Sequence, residues 1–267
     1  MCGILGMAFQ KGHTMKDSEE VQEIWRRLLV ESNVRGSNAT GCAFINLHEA
    51  MVIKHNIPSR RFVDTNYYKT VVEKRLRMNG DHVEPLVVLG HTRLKTKGEP
   101  TNTHNNHPIL TNRVIGVHNG VISNDDAIFD IYKMYRKAQV DSEVIFRLIE
   151  HHIENDNEME AAIKKTAKVL LGGFACATVQ VDIPWVLWLF RSGNPIYAVR
   201  YPKRGLILFA SVEKFVEVAT VGFDLGESEE IFLLNNEAIG INVLQNRRVR
   251  INIDKVKAKG QKQHGNT

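Results

Sequence analysis

The chain begins MCGILGMAFQ (residues 1–10), and the reading of that stretch decides the fold. From Ile4 to Phe9, apolar residues stand at odd and even positions alike. Such a run predicts a strand covered on both faces, so a further layer must lie on each side of it. A thiol stands at position 2, immediately ahead of the strand. No basic segment precedes the apolar run and no small-residue cleavage site follows it. It therefore does not read as a signal peptide, and a soluble, cytoplasmic protein is expected.

Working outward, residues 17–31 place Val21, Ile24, Leu28 and Leu29 at helical spacing. The turn-rich RGSNATG (35–41) leads into a strand at Cys42–Leu47, and a second short strand is expected near Met51–Lys54. Residues 63–78 read as helical and Pro85–Gly90 as a buried strand. Residues 94–112 read as a long polar loop, a length usually tied to function or disorder. Val114–Val117 reads as a strand that ends in HNG. Helices are expected at 124–137, 141–153 and 158–171. Strands follow at 173–181, 185–191, 195–200, 205–211, 230–234, 238–244 and 247–253, interrupted by a short helix at 213–219. Strands, then helices, then strands suggest two stacked sheets covered by helices.

Composition narrows the classes. A chain of 267 residues is one large domain or two small ones, long enough to need no disulfide or metal staple. With 43% hydrophobic and 24% charged residues it fits neither a disordered chain nor a coiled coil. No apolar run approaches a membrane span. The net charge of +5 is local: residues 245–267 carry +6, so residues 1–244 sum to −1. The basic end is either a solvated tail or a contact for an acidic partner. Neither an RNA-recognition signature nor a zinc-finger spacing is present, so a nucleic-acid partner is not indicated. Three cysteines, Cys2, Cys42 and Cys176, without CxxC, argue against a disulfide framework or structural zinc. Cys42 and Cys176 read as small buried apolar residues.

Four positions carry candidate chemistry. Removal of Met1 would leave Cys2 with a free α-amine, whose ordinary pKa is about 7.7–8.0. That amine could take the thiol proton and return it to a leaving group. Asn119-Gly120 offers a side-chain amide and a backbone N–H to one oxyanion, or else forms a type I′ hairpin turn. Arg93 could clamp a carboxylate, or be an ordinary surface arginine. Asp141 stands at a helix start, either as an N-cap or as the partner of a substrate ammonium.

Together these positions resemble the glutaminase domain of class II, N-terminal-nucleophile glutamine amidotransferases, and most of all the glutaminase half of glucosamine-6-phosphate synthases. The blocks that carry the resemblance are MCGILG (1–6), RGSNATG (35–41), GHTRLKTKG (90–98), NNHP (105–108), HNGVISN (118–124) and DSEVI (141–145), with weaker echoes in GGFACA (172–177) and FASVE (209–213). The resemblance spans roughly residues 2–225. It implies an α+β fold, a four-layer αββα sandwich, with a type-2 amidotransferase domain over 2–253 and a basic, flexible tail at 254–267. It implies hydrolysis of the glutamine side-chain amide to glutamate and ammonia without a cofactor. By it, Cys2 is the nucleophile, Asn119 and Gly120 form the oxyanion hole, Arg93 and Thr96 hold the α-carboxylate region, and Asp141 holds the α-ammonium. Arg35, Gly36 and His107 would support the site. Leu94 stands where an aromatic residue is usual, Lys97 where histidine is common, and Asn38 where aspartate is; the first two favour an open loop. Family members usually continue into an ammonia-consuming domain. The acceptor here would be a separate subunit, or the chain would act alone on a γ-glutamyl amide.

Rival readings are a Cys–His dyad using His91 or His107, a metal site among His91, His104, His107 and His118, and a non-catalytic binding module. The metal reading lacks HExxH and a thiolate pair, and no metal is expected. His151 and His152 read as surface residues, Trp185 and Trp188 as core. The sequence leaves the oligomeric state open.

Overall fold

The structure, a computed structural model, describes residues 1–78 and 85–254. The basic tail expected from 254 lies outside the described residues beyond Asp254. The chain lays down β1 (Gly3–Phe9), α1 (Ser18–Ser32), β2 (Ala39–Ile45), β3 (Ala50–His55), α2 (Ser59–Phe62), α3 (Glu73–Arg75) and β4 (Val87–Arg93). Then come β5 (Ile109–Leu110), β6 (Val114–Ile122), α4 (Asp125–Tyr132), α5 (Ser142–Glu154) and α6 (Met159–Val169). The last third holds β7 (Gly172–Gln180), β8 (Ile183–Ser192), β9 (Tyr197–Tyr201), β10 (Leu206–Ala210), α7 (Glu213–Thr220), β11 (Glu229–Glu230), β12 (Glu237–Asn242) and β13 (Arg247–Asn252).

Among the described residues one sheet runs β11-β9-β10-β1-β4-β2-β3 and the other β13-β12-β8-β7-β6-β5, with antiparallel pairing between neighbouring strands. The alternation of β1 explains the stacking. Leu5, Met7 and Phe9 join Trp25, Leu28 and Phe215 in a core between the first sheet and helices α1 and α7. Ile4 and Ala8, on the opposite face, join Leu89, Val117, Ala177 and Leu189 in a core between the sheets. A third core sets Phe146, Ile149 and Ile163 of α5 and α6 against Phe174 and Phe190 of the second sheet. The order is helix, sheet, sheet, helix, and the αββα sandwich expected from the resemblance is the fold found.

Some expected elements differ. Residues 63–78 do not form one helix but a π-turn at Tyr68–Val72 followed by α3. There the Thr65 hydroxyl donates to the Phe62 carbonyl and accepts from the Tyr68 N–H, while that of Thr70 donates to the Asn66 carbonyl. Such side-chain bonds compete with the helical ladder. Helix α4 stops at Tyr132, because Lys133 turns left-handed with φ 52°. The strand expected at 230–234 shrinks to Glu229–Glu230, although Ile231 and Leu233 still point inward. Within the expected loop, Ile109–Leu110 pairs with Gly116 and Ile115. Cys42 and Cys176 are buried as expected.

Candidate active site

The face that carries Val87 and Leu89 of β4 toward the second sheet carries His91 and Arg93 next, since they share that parity. On β6 the same alternation takes Ile115 and Val117 inward and then Asn119. The space between the sheets thus changes from apolar to polar at one end. Cys2, immediately before β1, stands at that end. A cavity of about 280 Å³ opens there, lined by Cys2, Arg93, Thr96, His107, Asn119, Gly120 and Asp141, together with Met1, His118 and Asn194. Every residue expected to be catalytic or to bind substrate lines this one cavity. Arg35 and Gly36 lie behind it and line a neighbouring one with Met1 and Leu94.

Each side chain is held by its own contacts. The Leu94 N–H donates to the Cys2 sulfur at 3.3 Å, and Arg35 Nε donates to the Cys2 carbonyl at 3.2 Å. Gly36 has no room for a side chain: a Cβ there would sit 2.3 Å from the Arg93 carbonyl carbon. Burial pushes the Cys2 thiol up, and the Leu94 N–H, the N-terminal ammonium and Arg93 pull it back. A base is therefore needed to form the thiolate near neutral pH.

Asn119 and Gly120 lie inside β6, paired with Ala175 and Phe174, so the hairpin-turn alternative falls. Asn119 is fully buried, yet neither its side-chain oxygen nor its nitrogen has a hydrogen-bond partner. A buried amide left unmatched costs stability, and a site is where such a cost is expected. Asp141 occupies the cap position of α5 but does not cap it. Its Oδ2 accepts instead from the Ile122 N–H at 2.7 Å, across the helix–sheet junction. Arg93 is buried rather than a surface arginine. Its guanidinium donates to Asn106 Oδ1 at 2.8 Å and to the Lys97 and Gly98 carbonyls at 2.6 Å each.

The loop after Arg93 is tied down more firmly than Leu94 and Lys97 suggested. Lys97 is not merely solvated, since its ammonium pairs with Asp125 at 2.9 Å and Asp126 at 3.2 Å. Asn38 accepts from the Lys95 N–H at 2.9 Å, and Asn105 exchanges hydrogen bonds with Gln139. Leu94 is exposed and leaves its corner of the site without an aromatic wall.

Three buried imidazoles back the site. His91 stacks on His107 with ring centroids 4.0 Å apart, and its Nε2–H donates to the His118 carbonyl at 3.1 Å. His118 Nδ1 bonds Ser142 Oγ at 2.8 Å. Burial lowers His91 to about 3 and His118 to about 4, with Asp141 opposing the second shift, and holds His107 well below its ordinary value. These rings are neutral in the folded protein, whereas in the unfolded chain they take up protons below about pH 6.5. Their contribution to stability is present above that pH and is lost as the pH falls toward 4 and 3. Calorimetry is expected to give a Tm that falls steadily from pH 6.5 to 4; a flat Tm over that window would mean that the imidazoles are not held neutral. Among the described residues no group of three or more His, Cys, Asp or Glu side chains is arranged to hold a metal ion.

A larger cavity, of about 370 Å³, opens beside the edge strands β3 and β5. It contains Lys54, which burial lowers to about 8, but no cysteine. Its one carboxylate, Glu143, is already engaged by the Lys137 and Ala138 N–H groups and by Arg147. The thiol lines the smaller cavity. Ser142, Asn106 and Asn194 are the site residues that the sequence reading gave no role, and His118 enters it only as a candidate metal ligand. His118 and Asn106 lie inside quoted blocks, so proximity to HNG and Arg93 was the available signal. For Asn194 there was no signal beyond its Gly-Asn-Pro turn.

No protein-family model matches the chain. The chain is 30% identical over 199 residues to the glutamine–fructose-6-phosphate aminotransferase (isomerizing) of Haemophilus influenzae and 28% identical over 204 residues to that of Aliivibrio fischeri. Each alignment covers 73% of this chain but 29% of the relative, so the chain spans under a third of the length of these relatives. Among solved structures, the glutamine phosphoribosylpyrophosphate amidotransferase of B. subtilis superposes with a TM-score of 0.68 at 15% identity, over 95% of this chain and 49% of the other. A structure described as the allosteric regulatory enzyme of purine biosynthesis gives 0.69 with the same identity and coverage. Among the described residues no helix is long and apolar enough to cross a membrane.

Proposed function

We propose that this chain, a class II, N-terminal-nucleophile glutamine amidotransferase domain, hydrolyses the side-chain amide of L-glutamine to glutamate and ammonia. The observation that carries the reading is the cavity itself. A thiol, a buried side-chain amide with nothing bonded to it, a guanidinium and a carboxylate all line about 280 Å³. An amino acid needs an anion for its ammonium and a cation for its carboxylate, and an acyl transfer needs a nucleophile and an oxyanion donor.

In the proposed reaction the Cys2 sulfur attacks the side-chain carbonyl carbon and its proton passes to the α-amine of Cys2. The C=O π pair moves to oxygen, where Asn119 Nδ2 and the Gly120 N–H receive it. The oxyanion collapses, the C–N bond breaks, and the ammonium returns its proton to the departing nitrogen, which leaves as ammonia. Water then adds to the thioester, the amine takes its proton, the C–S bond breaks, and the ammonium returns the proton to sulfur, giving glutamate, the free thiol and the free amine. Arg93 and Thr96 hold the α-carboxylate end, and Asp141 the α-ammonium. Arg35, Gly36 and His107 keep the ends of β1 and β4 in place. The ammonia passes to an acceptor or partner, in the cytoplasm, where a thiol nucleophile stays reduced.

The test is incubation with glutamine, asparagine and γ-glutamyl dipeptides. Equal amounts of glutamate and ammonia are expected from glutamine alone. Faster release of an amino acid from a γ-glutamyl dipeptide would replace this reading with a γ-glutamyl amidohydrolase, and no turnover of any of them with a non-catalytic module. The proposed base also requires a free amine on Cys2, while Met1 lines the same cavity. Intact-mass measurement of active protein is expected to find Met1 removed, and full activity with Met1 retained would exclude the amine as base.

A further inference from the structure

We infer that Asn194 is a positioning residue for the oxyanion site, setting the direction in which the Gly120 N–H points. The inference rests on the proposed reaction and adds a residue to it. The Asn119 carbonyl and the Gly120 N–H belong to one planar trans peptide, so they point in opposite directions. Asn194 Nδ2 donates to that carbonyl at 2.8 Å. Fixing the oxygen fixes the hydrogen on the other side, and Gly120 lines the cavity with Cys2. The same peptide is confined from behind. A Cβ on Gly120 would meet the Gly173 carbonyl oxygen at 2.0 Å, His118 Nε2 at 2.6 Å and Asn194 Nδ2 at 2.9 Å.

Asn194 is itself built in. Its carbonyl accepts from Arg191 Nε at 2.7 Å, and the preceding Gly193, at φ 82°, donates its N–H to Asn235 Oδ1 at 2.6 Å. Ser192 Oγ bonds Asn236 Oδ1 at 2.7 Å. Residues 235 and 236 follow β11, beyond the part of the chain that carries the resemblance. They reach the reaction centre through this turn and through Asn194. On the other side, Ser142 on His118 and Asp141 on the Ile122 N–H pin β6 before and after the pair. The Asn119–Gly120 peptide is therefore braced on both flanks and at its own carbonyl.

An asparagine that only satisfied a carbonyl would affect stability and leave the chemical step alone, and this difference makes the test. Asn194→Ala is expected to lower kcat about tenfold with KM within about twofold, less than the loss of a donor itself. Asn194→Asp keeps the shape but, when ionised, cannot donate and repels the carbonyl. It is expected to lose more than alanine does near pH 8, and its kcat relative to the parent should rise as the pH falls and the carboxyl gains a proton. It also supplies a folded, isosteric protein should Asn194→Ala misfold. A second readout is glutamate γ-semialdehyde, whose carbonyl adds the Cys2 thiol to give a tetrahedral hemithioacetal. Its affinity should fall by the same factor as kcat, while that of glutamate stays constant. If both variants keep the parent's kcat and semialdehyde affinity while Cys2→Ala is inactive, Asn194 does not position the site and the reaction stands. If Cys2→Ala is active, the reaction itself is wrong.

Discussion

Cys2→Ala is expected to abolish glutamine hydrolysis, by about 10⁴-fold or more, without lowering the Tm. The expectation follows from where the sulfur sits. It is partly exposed at the cavity, and the contacts it loses are two long bonds with Leu94, from the N–H at 3.3 Å and to the carbonyl at 3.5 Å. The other two cysteines invert the pattern. Cys42 and Cys176 are fully buried in the two outer cores, and truncating either to alanine should cost about 1–2 kcal/mol and leave kcat in place. Thermal melts and ammonia release on the three variants separate the roles. A folded Cys42→Ala protein without turnover would move the nucleophile elsewhere.

Asn119→Ala is expected to lower kcat by about 10²–10³-fold with little change in KM, as for the loss of one oxyanion donor. The structure adds a prediction about stability with the opposite sign. Both polar atoms of the Asn119 side chain are buried without partners. Leaving such groups unmatched costs about 1–3 kcal/mol, and the substitution removes them together with a few packing contacts. The variant should therefore melt at or above the parent's temperature while it works far more slowly. An asparagine kept for structure would give a lower Tm and an unchanged kcat.

The fold was legible where one physical signal dominated. The doubly apolar β1 implied layers on both sides, and the amphipathic spacing of α1 and α5 supplied two of them. Elements set by side-chain competition with the backbone were not legible, as at Thr65 and Thr70. At the site, residue type carried far. A cysteine, an Asn-Gly pair, an arginine and an aspartate from four separate segments line one cavity. Their supports were less visible. Lys97 looked like an unmatched charge because its partners, Asp125 and Asp126, lie almost thirty positions on and depend on the loop's path. Asn194 was invisible because its role is a bond to a main-chain oxygen, and such an oxygen is present at every position in the chain.

The site is shared between the layers. Cys2 and Arg93 belong to the ends of β1 and β4 in one sheet, and Asn119 and Gly120 to β6 in the other. In the proposed reaction neither layer holds both the nucleophile and the oxyanion donors. Turnover therefore reports the docking of the sheets, which circular dichroism of the strands alone would not. In a urea titration, ammonia release must vanish no later than the inter-sheet core opens, and a refolding intermediate with a single layer formed is catalytically silent. A burst of secondary structure that precedes the return of activity would time the closing of the sandwich.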